Sequence, residues 1–121
     1  MVLKAPIPEK NGSMQEIASA KALERTLGNG VVLVDFNAPG CGPCRAQEPI
    51  LLELATRYSG KVAFAMIHID AHRDLAAQFR IRSIPTLIVF KERAEILRLV
   101  GVQGFESLAA EGRMLVLLDA L

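Results

Sequence analysis

The chain has 121 residues, which is enough for one domain with its own hydrophobic core and too few for two domains of typical size. Hydrophobic residues make up 51% of the sequence and charged residues 22%, a balance typical of globular rather than disordered proteins. The net charge is +1 and the acids and bases are interspersed, which excludes the clustered basic face of a nucleic-acid-binding protein.

The N-terminal stretch is irregular, because prolines and glycine interrupt any periodic pattern there. We therefore expect a flexible N-terminal extension over residues 1–12 and a single domain over residues 13–121. The stretch contains no apolar segment of signal-peptide length, and no run in the chain approaches the roughly 20 apolar residues that span a bilayer. These features predict a cytoplasmic protein that makes no membrane contact.

The first predicted elements alternate between strand and helix. A short, weak edge strand is predicted at residues 13–17, followed by a helix that Ser19 caps and Gly28 ends. The apolar, β-branched run GVVLVDFN (30–37) predicts a strand that is covered on both faces. A long helix should follow over residues 41–58, with a proline inside it that kinks it.

The second half continues the alternation and ends in a hairpin. KVAFAMIHI (61–69) predicts another buried strand, after which Asp70 should cap a helix over residues 71–80. Two further strands flank the polar link KERA (91–94), which predicts an antiparallel hairpin, and a last helix should begin near Phe105. The order β-α-β-α-β-α-β-β-α predicts an α/β fold with a mixed central sheet of four to five strands and helices on both faces.

Both cysteines of the chain lie in the segment NAPGCGPCRAQEPI (37–50), at the predicted start of the long helix. A helix N-terminus presents unpaired N–H groups and the positive end of the helix dipole, so a thiolate is stabilised there. We therefore expect Cys41 to have a lowered pKa and to react as a nucleophile, with Arg45 adding positive charge nearby. Cys44, one turn into the helix, is close enough to attack a mixed disulfide formed on Cys41.

The main alternative from the residues alone is a zinc site. Cys41, Cys44, His68 and His72 form C-x2-C followed by H-x3-H, but 23 residues (45–67) separate the two pairs, more than the usual 12 to 15. One histidine lies on a predicted strand and the other at a helix start, so we expect no metal and assign both histidines structural or solvated roles. A structural disulfide, or a pair of inert thiols, is the other alternative.

The segment Cys41-Gly42-Pro43-Cys44 resembles the active-site motif of the thioredoxin family. The resemblance extends from about residue 13 to the C-terminus through VDF, APGCGPCR, the helix proline Pro49, HID (68–70), IRSIPTLIVF (81–90) and Gly101. It implies a thioredoxin-like fold and a protein dithiol–disulfide oxidoreductase, specifically a reductase, that works through a mixed disulfide on Cys41. A lowered pKa of the attacking cysteine is a known property of this family.

The resemblance also assigns roles to other residues. Asp35 matches a buried aspartate that exchanges a proton with Cys44, and the Ile84–Pro85 bond matches a cis-proline that presents backbone to an extended substrate. The substrate-binding positions that it implies are Gly40, Gly42, Pro43, Ile84, Pro85 and Gly101. It further implies a monomer without a bound cofactor, protein disulfides as substrates, and a flavoprotein similar to thioredoxin reductase as electron donor.

Three positions depart from the family pattern. Gly40 and Asn37 stand where tryptophans are common, and Met66 replaces a lysine often found near the buried aspartate. Loss of the aromatic ring at Gly40 should reduce apolar contact with protein substrates. Loss of the lysine removes a cation that favours an ionised Asp35, so its pKa should rise further.

Two other functional classes remain open at this point. One is a disulfide oxidase or isomerase that works in an oxidising compartment. The other is a binding or chaperone subunit that uses the same fold and in which the two thiols are incidental.

Overall fold

The computed structural model describes residues 12–111. The predicted N-terminal extension, residues 1–12, lies outside this range except for Gly12, and so does the segment 112–121 of the predicted domain. No helix in the described range is both long enough and apolar enough to cross a membrane.

Strands and helices follow one another in the predicted order. The elements are β1 (Met14–Glu16), α1 (Ala20–Leu27), β2 (Val31–Asn37), α2 (Gly42–Arg57), β3 (Val62–His68), α3 (Arg73–Gln78), β4 (Thr86–Lys91), β5 (Ala94–Val100) and α4, which occupies residues 105–111 at the end of the described range.

The five strands form one mixed sheet in the order β1-β3-β2-β4-β5. β1 and β2 both pair with β3 in parallel, whereas β4 is antiparallel to β2 and to β5. Glu92 and Arg93 join β4 to β5 with positive φ angles of 50° and 71°, the backbone twist that suits a two-residue hairpin loop. The predicted α/β class, the mixed sheet and the terminal hairpin are confirmed.

Two hydrophobic cores lie on opposite faces of the sheet, because successive residues of a strand point to opposite sides. On β2, Val32, Val34 and Phe36 belong to the core beneath α1 and α3. Val31 and Leu33 belong to the core beneath α2 and α4. The odd-numbered residues of β2 therefore face the helix that begins at the cysteine pair.

The first and third helices differ in how their N-termini are capped. Ser19 caps α1 as predicted, since its Oγ accepts the backbone N–H of Ala22 at 3.0 Å. The prediction that Asp70 caps the third helix is wrong, because α3 begins only at Arg73 and has His72 at its N-cap. Backbone turns place the N–H of Ala71 on the carbonyl of His68, so the chain first reverses direction after β3. The helix therefore starts three residues beyond Asp70.

Leu51 and Leu52 provide a direct test of which face of α2 is in the core. Leu51 is fully buried and Leu52 is 42% exposed, although both lie in the same helical turn. We expect Leu51→Ala to lower the free energy of unfolding by about 2–5 kcal/mol, because it removes buried methyl groups and leaves a cavity. Leu52→Ala should change it by about 1 kcal/mol or less. Urea unfolding of the two oxidised variants at pH 7 measures both values, and equal losses would contradict the packing described here.

Candidate active site

The two cysteines form a disulfide at the first turn of α2, with their Cα atoms 5.2 Å apart. Cys41 occupies the N-cap position with an extended backbone, and its Sγ accepts the backbone N–H of Cys44 at 3.1 Å. Pro43 lies in the first turn, where its missing N–H leaves no intrahelical hydrogen bond unmade. Sulfur here takes the capping role that a Ser or Asp oxygen has in other helices.

The two sulfurs differ in their access to solvent. Cys41 is partly exposed and the two residues after it are exposed, whereas Cys44 is only 5% exposed. A Cβ added at Gly40 or at Gly42 would meet no atom within 4 Å, so the surface on both sides of Cys41 is open. A bulky disulfide can therefore approach Cys41 but not Cys44.

Asp35 lies on β2 and is fully buried. Its odd number places it on the sheet face covered by α2, the helix that carries the cysteines. Burial raises the pKa of this carboxyl from its ordinary 3.8 to about 6, and the negative charge of Glu48 contributes in the same direction. A hydrogen bond from Asn37 is the main influence that lowers the pKa. Such a carboxylate is ionised at neutral pH, yet is basic enough to accept a proton from a thiol.

Asn37 is the partner of Asp35 that sequence analysis missed. Its Nδ2 donates to Asp35 Oδ2 at 3.1 Å, whereas Asp35 Oδ1 is buried and has no hydrogen-bond partner within residues 12–111. The only available signal was the spacing of two residues along one strand, which places both side chains on the same face. Met66 pairs with Asp35 in the register of β2 and β3, so an uncharged side chain stands beside the carboxyl.

The predicted cis bond is present at Ile84–Pro85, immediately before β4. Because Phe36 pairs with Thr86, this bond lies beyond the paired segment, at the same end of β2 from which the chain continues to Cys41. The carbonyl of Pro85 accepts the N–H of Gly101 at 2.8 Å, and Gly101 has a φ of 88° that suits glycine. Val100, the residue before Gly101 in the chain, is 58% exposed.

A second residue that sequence analysis missed is Gln47, which is fully buried on α2. Its Nε2 donates to the carbonyl of Gln103 at 3.1 Å, and its Oε1 accepts the N–H of the same residue at 2.6 Å. These two bonds fix the loop after Gly101 to the helix that carries the disulfide. A polar residue at the same helical spacing as Leu51 and Leu54 was the sequence signal for it.

The histidines do not join the cysteines. His68 Nδ1 lies 2.6 Å from Asn37 Oδ1, and its Nε2 lies 3.4 Å from Glu16 Oε1. His72 is at the N-cap of α3, and no group of three or more metal-ligating side chains is found within residues 12–111. Arg45, which the sequence predicts to add positive charge near Cys41, is exposed and donates to the carbonyl of Pro39 at 3.4 Å.

Comparison with known proteins gives one consistent result. Residues 14–112 match the sequence model of the Thioredoxin family. The chain is 44% identical over 86 residues to a thioredoxin of Staphylococcus haemolyticus, covering 71% of this chain and 83% of that protein. It is 46% identical over 81 residues to thioredoxin of Staphylococcus aureus, covering 67% and 78%.

Solved structures agree with the sequence comparisons. A mutant thioredoxin from Halobacterium salinarum superposes with a TM-score of 0.82 at 28% identity, covering 93% of this chain and 96% of that one. The Malassezia sympodialis thioredoxin, Mala s 13, gives a TM-score of 0.80 at 30% identity, covering 93% and 97%. Both likenesses extend over almost the whole of each chain.

Replacing the buried carboxyl should change how stability depends on pH. The folded pKa of Asp35 lies above its ordinary value, so its protonated form favours folding, and that stability is lost as the pH rises from about 4 through about 6. Asp35→Asn removes this dependence. We expect the free energy of unfolding of the variant, relative to that of the native protein, to rise by up to about 3 kcal/mol between pH 4 and pH 7. Urea unfolding of both proteins at each pH measures this difference.

Asp70→Asn is the matched control for this experiment, because Asp70 is exposed and lies outside the site. Its difference from the native protein should stay nearly constant over the same pH range. Parallel stability curves for Asp35→Asn and the native protein would show that the carboxyl is not desolvated as described.

Proposed function

The chain belongs to the thioredoxin family and is a thiol–disulfide oxidoreductase, and from this premise we propose that it reduces disulfides of other proteins through Cys41 and Cys44. The observation that carries the proposal is the unequal placement of the two sulfurs. Cys41 is accessible and accepts a helix N–H, whereas Cys44 lies buried behind it. One sulfur can meet the substrate, and the other is reserved for the intramolecular step.

The first half of the reaction forms a mixed disulfide. In the reduced protein the Cys41 thiolate attacks one sulfur of the substrate disulfide, a new S–S bond forms, and the other substrate sulfur leaves as a thiolate that takes up a proton. The N–H of Cys44 and the dipole of α2 stabilise the negative charge on Cys41 before attack. Cys41 is then bonded to one half of the substrate.

The second half releases the substrate. The Cys44 thiol gives its proton to the Asp35 carboxylate, and the resulting thiolate attacks Cys41 Sγ. The substrate sulfur leaves, and the Cys41–Cys44 disulfide forms, so two electrons have passed from the protein to the substrate. The unpaired Oδ1 of Asp35 is the position at which we place the accepted proton.

Substrate recognition is assigned to the surface beside the disulfide. We propose that Ile84 and Pro85, ahead of β4, offer backbone groups to an extended substrate segment, in the manner of strand addition. Gly40, Gly42, Pro43 and Gly101 leave room for that segment. The exposed side chain of Val100 adds apolar contact area next to Gly101.

The oxidised protein must be reduced again for turnover. Members of this family act on protein disulfides and receive electrons from a reductase. We propose that the electron donor is a flavoprotein similar to thioredoxin reductase and that this chain acts as a monomer. We also propose a cytoplasmic location, because a reducing compartment keeps the dithiol available for repeated attack.

Cys44→Ser tests the two-step mechanism. Without the second thiol, attack by Cys41 still occurs but the mixed disulfide is not resolved. We expect insulin reduction with dithiothreitol to fall to the rate of dithiothreitol alone. When the reduced variant is mixed with insulin after the dithiothreitol has been removed, a Cys41-linked adduct should accumulate in intact mass spectra.

Cys41→Ser is the control, because it retains one buried thiol and should form no adduct. Turnover by Cys44→Ser at the native rate would exclude the oxidoreductase mechanism proposed here. Titration of the native protein against glutathione separates a reductant from an oxidase, since an oxidase would have a higher reduction potential.

Gly40→Trp tests whether the lack of a side chain just before Cys41 limits contact with protein substrates. A Cβ added at this position meets no atom within 4 Å, so we expect a tryptophan side chain to extend from the surface there without displacing its neighbours. An added aromatic contact of ~1 kcal/mol corresponds to about a fivefold gain in kcat/KM for insulin. Reduction of a small aromatic disulfide should change less, and a loss of activity on insulin would contradict the assigned substrate surface.

A further inference from the structure

Three polar side chains connect the buried carboxyl of Asp35 to the surface through a continuous series of contacts. Asn37 Nδ2 donates to Asp35 Oδ2 at 3.1 Å, and Asn37 Oδ1 lies 2.6 Å from His68 Nδ1. His68 Nε2 lies 3.4 Å from Glu16 Oε1. Because Oδ1 of an amide only accepts, the His68 Nδ1 must carry the proton of that hydrogen bond.

The sheet register brings these residues together. Asn37 and His68 are direct partners in the parallel pairing of β2 with β3, and Glu16 lies on β1, the next strand along. Exposure increases along the series: Asp35 is fully buried, Asn37 is 8% exposed, and the side chains of His68 and Glu16 are 25% and 50% exposed. The imidazole is thus the link between a buried amide and the protein surface.

The orientation of the Asn37 amide determines which form of Asp35 it favours. With Nδ2 toward Asp35 the amide donates to the carboxylate, and this hydrogen bond lowers the pKa of Asp35 against the effect of burial. Rotating the amide by about 180° would turn Oδ1 toward the carboxyl, which repels the carboxylate and accepts only from the protonated form. The hydrogen bond from His68 opposes that rotation.

We propose that His68 is a positioning residue for the release of substrate: by fixing the Asn37 amide, it keeps Asp35 in the carboxylate form that accepts the proton of Cys44. The proposal rests on the proposed function, in which Asp35 receives that proton. His68 touches neither the substrate nor a cysteine in this scheme. Its positioning effect passes through Asn37, and the smaller direct influence of its charge on Asp35 is separate from it.

Other charged groups lie near His68 and Asp35. Glu16 lies against the imidazole, and Glu48 and Arg45 on α2 border the same open cleft of about 150 Å³ beside Cys44 and His68. Glu48 and His68 influence Asp35 with opposite sign, and both influences are smaller than the hydrogen bond from Asn37. The experiment must therefore separate amide orientation from charge.

The test follows the titration of the Asp35 carboxyl by ¹³C NMR in the reduced full-length protein. His68→Leu removes the donor to Asn37, and we expect the Asp35 midpoint to rise by about one pH unit. His68→Asn places an amide donor near the position of Nδ1 without a titrating ring, and should keep the midpoint within about 0.3 unit of the native value. Glu16→Gln, which removes only a surface charge, should do the same.

Two results would overturn the proposal. One is a native Asp35 midpoint in His68→Leu. The other is an upward shift in His68→Asn as large as that in His68→Leu, or a shift of that size in either direction in Glu16→Gln, since either would assign the effect to charge rather than to amide orientation. Urea unfolding of each variant establishes that the compared proteins are folded.

A double-mutant cycle gives an independent measurement. If His68 acts mainly through Asn37, then His68→Leu in an Asn37→Leu background should add at most the small effect of the imidazole charge, and a further shift as large as that in the native background would contradict the proposal. In stopped-flow experiments, the pH midpoint for release of a Cys41-bound substrate should move with the Asp35 midpoint, whereas the rate of Cys41 alkylation should not change.

These readouts separate the inference from the function on which it rests. Turnover by Cys44→Ser would remove the proposed function whatever the Asp35 titration shows. An unshifted Asp35 titration in His68→Leu removes only the role of His68, and leaves the two-cysteine mechanism in place.

Discussion

The hydrogen bond from the Cys44 N–H to Cys41 Sγ is the contact on which the rest of the site depends. It places one sulfur at the tip of α2 and the other one turn inside, so the same short segment defines both the accessibility of each sulfur and the order of reaction that we propose. β2 is buried along its whole length, and the chain continues from its last residue to the start of α2. The cysteine segment therefore lies at that end of the sheet. Residues 37–44 thus connect the central strand β2 to the cysteine pair.

Alternation along β2 explains how a carboxyl comes to lie in a hydrophobic core. Val31 and Leu33 pack beneath α2, and Asp35 is the next residue on the same face. Its desolvation opposes folding at neutral pH, and the hydrogen bond from Asn37 offsets part of that cost. The chain therefore retains a destabilising group in the position where the proposed mechanism requires a basic carboxylate.

Features that depend on local spacing were predictable from the sequence. The cysteine pair, the Ser19 cap and the buried run at 30–37 each carry their signal within a few residues, and the structure agrees with the predicted elements there. Asp70 has a side chain suited to capping, but the chain first turns after β3 and the helix begins only at Arg73. Contacts between distant segments were not predictable in the same way. The pairing of Asn37 with His68 follows only once the register of two parallel strands is known, and the partner of Gln47 lies 56 residues further along the chain.

The two hydrogen bonds between the Gln47 side chain and the backbone of Gln103 affect the free energy with which the protein binds a substrate. These bonds fix the loop after Gly101 to α2, so the two sides of the proposed substrate surface are already ordered before a substrate binds. Little conformational entropy of the protein is then lost when a partner docks, and the unfavourable ordering falls on the incoming polypeptide. Partners whose scissile S–S bond lies in an already extended or locally unfolded stretch should consequently be preferred over compact ones.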